Sequence, residues 1–102
     1  MSSPSLISVI IPNWNGKHFL AECIDSLKEQ TFRDFETILV DNGSTDGSAE
    51  FVEERYGKFV RIIRNKKNLG FTGGNNVGIE AARGEYIVLL NNDTWAPPTW
   101  LN

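Results

Sequence analysis

The sequence predicts an α/β fold, a Rossmann-like parallel sheet with helices on both faces in the order β-α-β-α-β-α-β. Two observations predict it. Its strand-like runs are apolar and β-branched without alternation, as strands covered on both faces are. Segments with apolar residues at helical spacing lie between them, and right-handed crossovers turn such an alternation into one parallel sheet.

The first run, Leu6-Ile7-Ser8-Val9-Ile10-Ile11, is expected to end at Pro12. Residues 16–30 form the first helix. Within it Phe19, Leu20, Cys23, Ile24 and Leu27 make one apolar stripe, which reads the lone cysteine as a buried thiol. Polar residues 31–34 return the chain to a second strand over 35–40. Asn42-Gly43-Ser44-Thr45-Asp46-Gly47-Ser48 is rich in side-chain caps and opens a helix that runs to Tyr56, with Gly57 as its stop. Asp46 is placed for capping. A short third strand covers 60–63, residues 65–76 read as a glycine-rich loop, and a third helix carries Val77, Ala81 and Ala82 on one face. Arg83-Gly84 reads as the cap of that helix, and Tyr86-Ile87-Val88-Leu89-Leu90 is the fourth strand. The tail, with Trp95, Trp100 and Leu101, needs something to pack against, and the chain is expected to be a single domain over 1–102 cut from a longer protein.

Composition narrows the function. At 102 residues, 40% hydrophobic and 23% charged, the chain suits one soluble globular domain. Ten basic and thirteen acidic residues give a net charge of −3, which argues against a broad nucleic-acid-binding face. No apolar run approaches the roughly 20 residues that cross a bilayer, and no cationic stretch precedes the first one, so the expected location is cytoplasmic. One cysteine permits no internal disulfide, and His18, the only histidine, is expected in solvent at a helix start.

Ligands of open parallel sheets sit beyond the carboxyl ends of the strands, near the point where strand order reverses. Three polar clusters fall at such ends: Pro12-Asn13-Trp14-Asn15, Asp41-Asn42-Gly43-Ser44 and Asn91-Asn92-Asp93. They are expected to converge. Asp41 has two readings, an acceptor for a base or ribose donor and an Asx-turn before the next helix. Asp93 suits a hard divalent cation, which binds through one or two carboxylates plus substrate phosphate. Asn91 is its neutral companion. Gly70, Gly73, Gly74 and Gly78 gather at the third helix, where backbone or ligand can approach closely. Lys66 and Lys67 stand nearby as cations for a diphosphate, and Trp14 and Phe71 as rings for stacking. The G-x-G-x-x-G and P-loop signatures are missing.

Together "SVIIPNWNG", "ILVDNGSTDGS" and "NLGFTGGNNVGIEAARGEYIVLLNNDT", covering almost all of residues 6–95, resemble the N-terminal half of family 2 glycosyltransferases, inverting enzymes of the GT-A fold. "NLGFTGGNN" and "LLNNDT" look closest to the rhamnosyltransferase-like branch, which builds bacterial surface polysaccharides. The resemblance implies a partial GT-A fold that binds a nucleotide-diphosphate sugar, a UDP- or dTDP-sugar, for transfer to a saccharide or lipid-linked acceptor. It implies that Pro12, Asn13 and Trp14 line the nucleoside pocket and that Asp41, with Gly43 beside it, contacts the base. Gly73, Asn75, Asn76 and Asn92 join the donor site, Asn75 standing where the family often has arginine. Asp93 matches the last carboxylate of the D-x-D motif that holds Mn²⁺ or Mg²⁺, and Asn91 replaces its first aspartate. The catalytic base is expected beyond Asn102, so the fragment alone is expected to be inactive. Further expectations are attachment of the full-length protein to the inner face of the membrane and self-association through the edge of the fourth strand. The competing reading is a non-catalytic α/β interaction or nucleotide-binding module.

Overall fold

The computed structural model describes residues 6–101, apart from the side chain of Phe71. The expectations for residues 1–5, for the chain end at Asn102 and for Phe71 as a stacking ring lie outside the described residues. The elements are β1 (Ile7–Asn13), α1 (Lys17–Lys28), β2 (Phe35–Asn42), α2 (Ser48–Tyr56), β3 (Val60–Asn65), α3 (Gly70–Ala81) and β4 (Tyr86–Leu89). The strands form one sheet in the order β3-β2-β1-β4, with every pairing parallel. The chain therefore runs outward from β1 to β3 and then crosses back to the other side of β1. That reversal is where such sheets bind ligands.

Period-two alternation splits each strand between two apolar layers. Val9, Ile11 and Leu39 face Leu20, Cys23, Ile24 and Leu27 of α1 and Val52 of α2. Ile10, Ile38 and Val40 face the other way, onto Val77 and the Ala82 end of α3. Phe19 departs from the expected stripe and is 43% exposed. The strands read as continuous apolar runs because both faces are covered.

Three of the boundaries that differ from the sequence reading have a reason in the packing. Pro12 does not end β1, since Pro12 pairs with Val40 and Asn13 with Asp41. The Ile10 carbonyl accepts the Leu90 N–H at 2.9 Å, so residue 12, two positions on, also turns its backbone toward β4. Proline has no N–H to give there. The pairing of β1 with β4 accordingly stops at Ile10 and Leu89. Pro12 ends a ladder and leaves the strand intact.

The stretch from Gly70 to Asn76 is helix rather than loop. Each glycine costs a helix about 1 kcal/mol relative to alanine, which hides the helix from propensity. Packing overrides that cost: a Cβ on Gly74 would lie 2.5 Å from Asn42 Nδ2, and one on Gly78 would lie 2.5 Å from Ile10 Cγ2. The missing side chains let α3 lie close to the sheet. Asn68 Oδ1 accepts the Gly70 N–H at 2.8 Å, an Asx turn that leads the chain into the helix.

Gly84 is likewise not the stop of α3, which ends at Ala81 with Ala82 turning extended. Its N–H donates to Ser8 Oγ at 2.7 Å, and a Cβ there would sit 2.5 Å from the Ser8 nitrogen. The glycine serves a close crossing over β1.

Asp46 takes the structural role expected of it, for two helices at once. Its carboxylate accepts the N–H of Lys17 at 3.0 Å and the N–H of Ser48 at 3.0 Å, and also the Ser48 hydroxyl. Partial burial works against ionisation, but these hydrogen bonds outweigh it and hold the carboxyl below its usual range.

The tail folds back onto α1. The Ala96 N–H donates to Ser26 Oγ at 3.0 Å, Gln30 Nε2 donates to the Pro97 carbonyl at 2.7 Å, and the Leu101 N–H donates to Gln30 Oε1 at 3.1 Å. Ala96 and Leu101 are buried and Trp100 packs on the α1 layer, whereas Trp95 is 56% exposed. β4 forms one edge of the sheet, with Tyr86, Ile87 and Leu89 exposed.

Candidate functional site

An open cleft of about 320 Å³ lies at the carboxyl ends of β1 and β4. Its walls are Pro12 and Asn13 from β1, Trp14 just beyond it, Asn91, Asn92 and Asp93 from the turn after β4, Asn42 from β2, and Asn68 and Gly70 from the entry to α3. Small-ligand sites run from about 300 to 1,000 Å³, so the cleft is large enough for part of a ligand. The β1 and β4 ladder stops at Ile10 and Leu89, and the cleft lies beyond that point.

The turn after β4 is anchored from below. The Cys23 thiol of α1 donates to the Asn91 carbonyl at 3.8 Å, and the Thr94 N–H returns to that carbonyl at 3.1 Å. Burial, and next the charge of Asp93, push the thiol up to about 12, which makes Cys23 an inert packing group at neutral pH. Beyond the turn, the bonds to Ser26 and Gln30 fix the chain again. Asp93 and Asn91, both exposed on the cleft wall, are thus presented by a turn tied at both ends.

Asp41 stands one step behind the cleft. It is 4% exposed, and its Oδ1 accepts Asn13 Nδ2 at 3.0 Å and the Ser44 hydroxyl at 2.6 Å, while Oδ2 accepts the Ser44 N–H at 3.2 Å. The register that pairs Asn13 with Asp41 puts both side chains on the same face of the sheet. Asp41 thus forms an Asx-type turn with Ser44 and also bonds Asn13, a cleft residue. Asn15, at φ 52°, extends the polar seam by donating its N–H to Ser44 Oγ at 2.9 Å and accepting the Thr45 N–H at 2.8 Å.

The cleft brings together Pro12, Asn13, Trp14, Asn91, Asn92 and Asp93, and among the described residues its lining omits Gly43, Gly73, Asn75 and Asn76. Gly43 has φ +74°, and a Cβ there would come 3.0 Å from Lys67 Cα. Gly73 makes room for Leu69. Asn75 is buried with its Oδ1 unpartnered, and Asn76 is exposed. Gly70, read as a place of close approach, does line the cleft, and so do Asn42 and Asn68, to which the sequence reading gave no role of their own. Asn42 was findable, since the residue after Asp41 must point to the opposite, α3 side of the sheet. There it accepts Asn65 Nδ2 at 2.8 Å and donates to the Gly70 carbonyl at 3.4 Å.

The family model for glycosyl transferase family 2 matches residues 8–102. The chain belongs to glycosyl transferase family 2. This family 2 domain is 42% identical over 91 residues to the uncharacterized glycosyltransferase EpsJ of Bacillus subtilis, covering 88% of this chain and 26% of EpsJ. It is 34% identical over 94 residues to chondroitin synthase of Pasteurella multocida, covering 91% of this chain and 10% of that protein. In structure it is similar to S. aureus TarS 1-349 in complex with UDP, at a TM-score of 0.85 and 30% identity, covering 93% of this chain and 29% of that one. The α/β sheet seen here thus has the architecture of GT-A glycosyltransferases. The family 2 domain spans about a quarter of the length of EpsJ. Among its described residues no helix is long and apolar enough to cross a membrane, and no group of three His, Cys, Asp or Glu side chains is arranged to hold a metal ion.

Proposed function

We propose that this chain is the donor-binding part of an inverting glycosyltransferase that uses a UDP- or dTDP-sugar. The observation that carries the reading is the cleft at the strand-order reversal, where Trp14, Asn91 and Asp93 share one wall system and Asp41 lies one hydrogen bond behind. Support comes from the family, from the UDP held by TarS and from the polysaccharide product in the name of chondroitin synthase.

Trp14, 54% exposed, offers a ring face to the nucleobase. Asp41 holds Asn13 in orientation and keeps one lone-pair site for a base N–H. Asp93, with the amide oxygen of Asn91, is an open, all-oxygen donor set of the kind that holds Mn²⁺ or Mg²⁺ together with water and substrate phosphate. Such a cation supplies Lewis-acid neutralisation of the charge that builds on the leaving diphosphate. In the reaction an acceptor hydroxyl forms a bond to the anomeric carbon, the bond from that carbon to the phosphate oxygen breaks, and configuration inverts. The acceptor proton goes to a base that we place outside residues 1–102. The acceptor is a saccharide or a lipid-linked saccharide, the product a cell-surface polysaccharide, and the location cytoplasmic at the inner face of the membrane. The wording of "NLGFTGGNN" and "LLNNDT" supports the rhamnosyltransferase-like branch.

Calorimetry of the full-length protein with UDP and dTDP, with and without Mn²⁺, tests the reading. Asp41→Ala is expected to weaken binding about tenfold, the scale of about 1.4 kcal/mol. A full-length protein that binds neither nucleotide, or an alanine variant with unchanged affinity, would count decisively against it.

We also propose that the chain in isolation self-associates through β4, whose unpaired edge carries exposed Tyr86, Ile87 and Leu89. Sedimentation of residues 1–102 is expected to show concentration-dependent dimers. A monomer throughout the micromolar range would exclude this edge as a contact.

A further inference from the structure

A line of side-chain hydrogen bonds joins the turns after β4, β1 and β2, and Asn13 is its centre. Asn92 Nδ2 donates to Asn13 Oδ1 at 2.7 Å, and Asn13 Nδ2 donates to Asp41 Oδ1 at 3.0 Å and to Ser44 Oγ at 3.3 Å. Asn13 is 2% exposed, so its amide finds its partners inside the protein. Asp41, which as a carboxylate can accept but not donate, dictates which way that amide points: nitrogen toward Asp41, oxygen toward Asn92. Turning it over would set a carbonyl against a carboxylate. The charge on β2 therefore orients Asn13, Asn13 orients Asn92, and the next residue is Asp93.

Two independent features point to the same bond. Gly16 precedes α1 at φ −107° and ψ 26°, a conformation open to other residues, so backbone freedom does not require glycine there. Space does: a Cβ on Gly16 would fall 2.1 Å from Asn92 Nδ2 and 2.6 Å from Asn13 Oδ1. The glycine is the seat of the Asn13 and Asn92 pair. The second feature is Pro12, which stops the backbone ladder between β1 and β4, so the bond from Asn92 to Asn13 spans the cleft where no main-chain pairing continues.

We infer that Asn13 and Asn92, seated on Gly16, are positioning residues that clasp the Asp93 turn to the nucleoside side of the site and make nucleotide and divalent cation bind cooperatively. This rests on the donor-binding reading above. With the clasp closed, Asp93 is held where a diphosphate anchored through its nucleoside presents its oxygens. With it open, each ligand still finds its own half, and the gain from binding both falls.

The test is calorimetric titration of the full-length protein with UDP in Mn²⁺ and in EDTA, taking the ratio of the two affinities. Gly16→Ala, which pushes the pair apart, is expected to keep the cation-free affinity and to lower the ratio about fivefold or more. Asn92→Leu keeps the branching at Cγ, removes the donor and leaves Gly16 in place; its ratio is expected to fall likewise, which keeps the inference testable should Gly16→Ala misfold. A wild-type ratio in either folded variant overturns the clasp. So does an equal fall of both affinities in Gly16→Ala, the result a merely structural role would give, or loss of the fold in both variants. Wild-type protein that ignores UDP, or whose affinity is indifferent to Mn²⁺, overturns instead the reading of the site as a cation-assisted donor site.

Discussion

Asp93→Ala is expected to abolish the increase in UDP affinity that Mn²⁺ provides, a loss of at least about tenfold, or about 1.4 kcal/mol. The size follows from the donor set proposed above. Among the described residues Asp93 is the one carboxylate on the cleft wall, and its proposed companion is a neutral amide, Asn91. A hard cation draws most of its protein-derived attraction from formal negative charge, so removing Asp93 leaves water and phosphate to hold it. Asn91→Asp is the converse, and is expected to tighten Mn²⁺ about tenfold by restoring a second carboxylate. Titration of Mn²⁺ in the presence of saturating UDP reads both effects. An alanine variant that keeps the full cation-dependent gain would move the metal elsewhere.

Gly78→Leu is expected to unfold the domain or bring it close to unfolding at room temperature. A Cβ at this position would lie 2.5 Å from Ile10 Cγ2 and 3.1 Å from Val40 Cγ2, two side chains at the centre of the layer between α3 and the sheet. Neither neighbour is free to move, because Ile10 and Val40 are wholly buried in the two central strands. Overpacking by even a few methylenes costs about 1–3 kcal/mol, and a leucine adds a full side chain where there is room for none. Domains of this size hold about 5–15 kcal/mol in total. Urea denaturation followed by circular dichroism is the measurement, and a midpoint equal to wild type would show that α3 does not seat on Ile10.

The two central strands were legible because burial on both faces writes itself as a continuous apolar run, and α1 because Leu20, Cys23, Ile24 and Leu27 repeat at helical spacing. The convergence of three polar clusters was legible too, since parallel strands deliver their carboxyl ends to one edge. What the sequence hid has a common cause, in that a residue's local preference was overruled by what it meets across the fold. Gly74 looks like loop until Asn42 of the sheet beneath explains why a helix would do without a side chain there. Pro12 looks like a strand end until the direction of its absent N–H is known, and that depends on which neighbour lies on which side. Gly84 and Gly16 resemble ordinary turn residues, yet each makes space for an atom that arrives from a distant segment. Asn42 was counted in a converging cluster but given no role of its own for a different reason: its neighbour Asp41 carries the charge that draws attention.

Asp41 and Asn42 are adjacent in the chain and serve opposite compartments of the molecule, one bonding Asn13 on the α1 side and the other Gly70 on the α3 side. A single added or deleted residue anywhere within β2 would exchange them, sending the carboxylate beneath α3 and the amide toward Ser44. Insertions are therefore tolerable only in the connections that flank this strand, and its length behaves as a fixed gauge against which variation elsewhere in the domain must be accommodated.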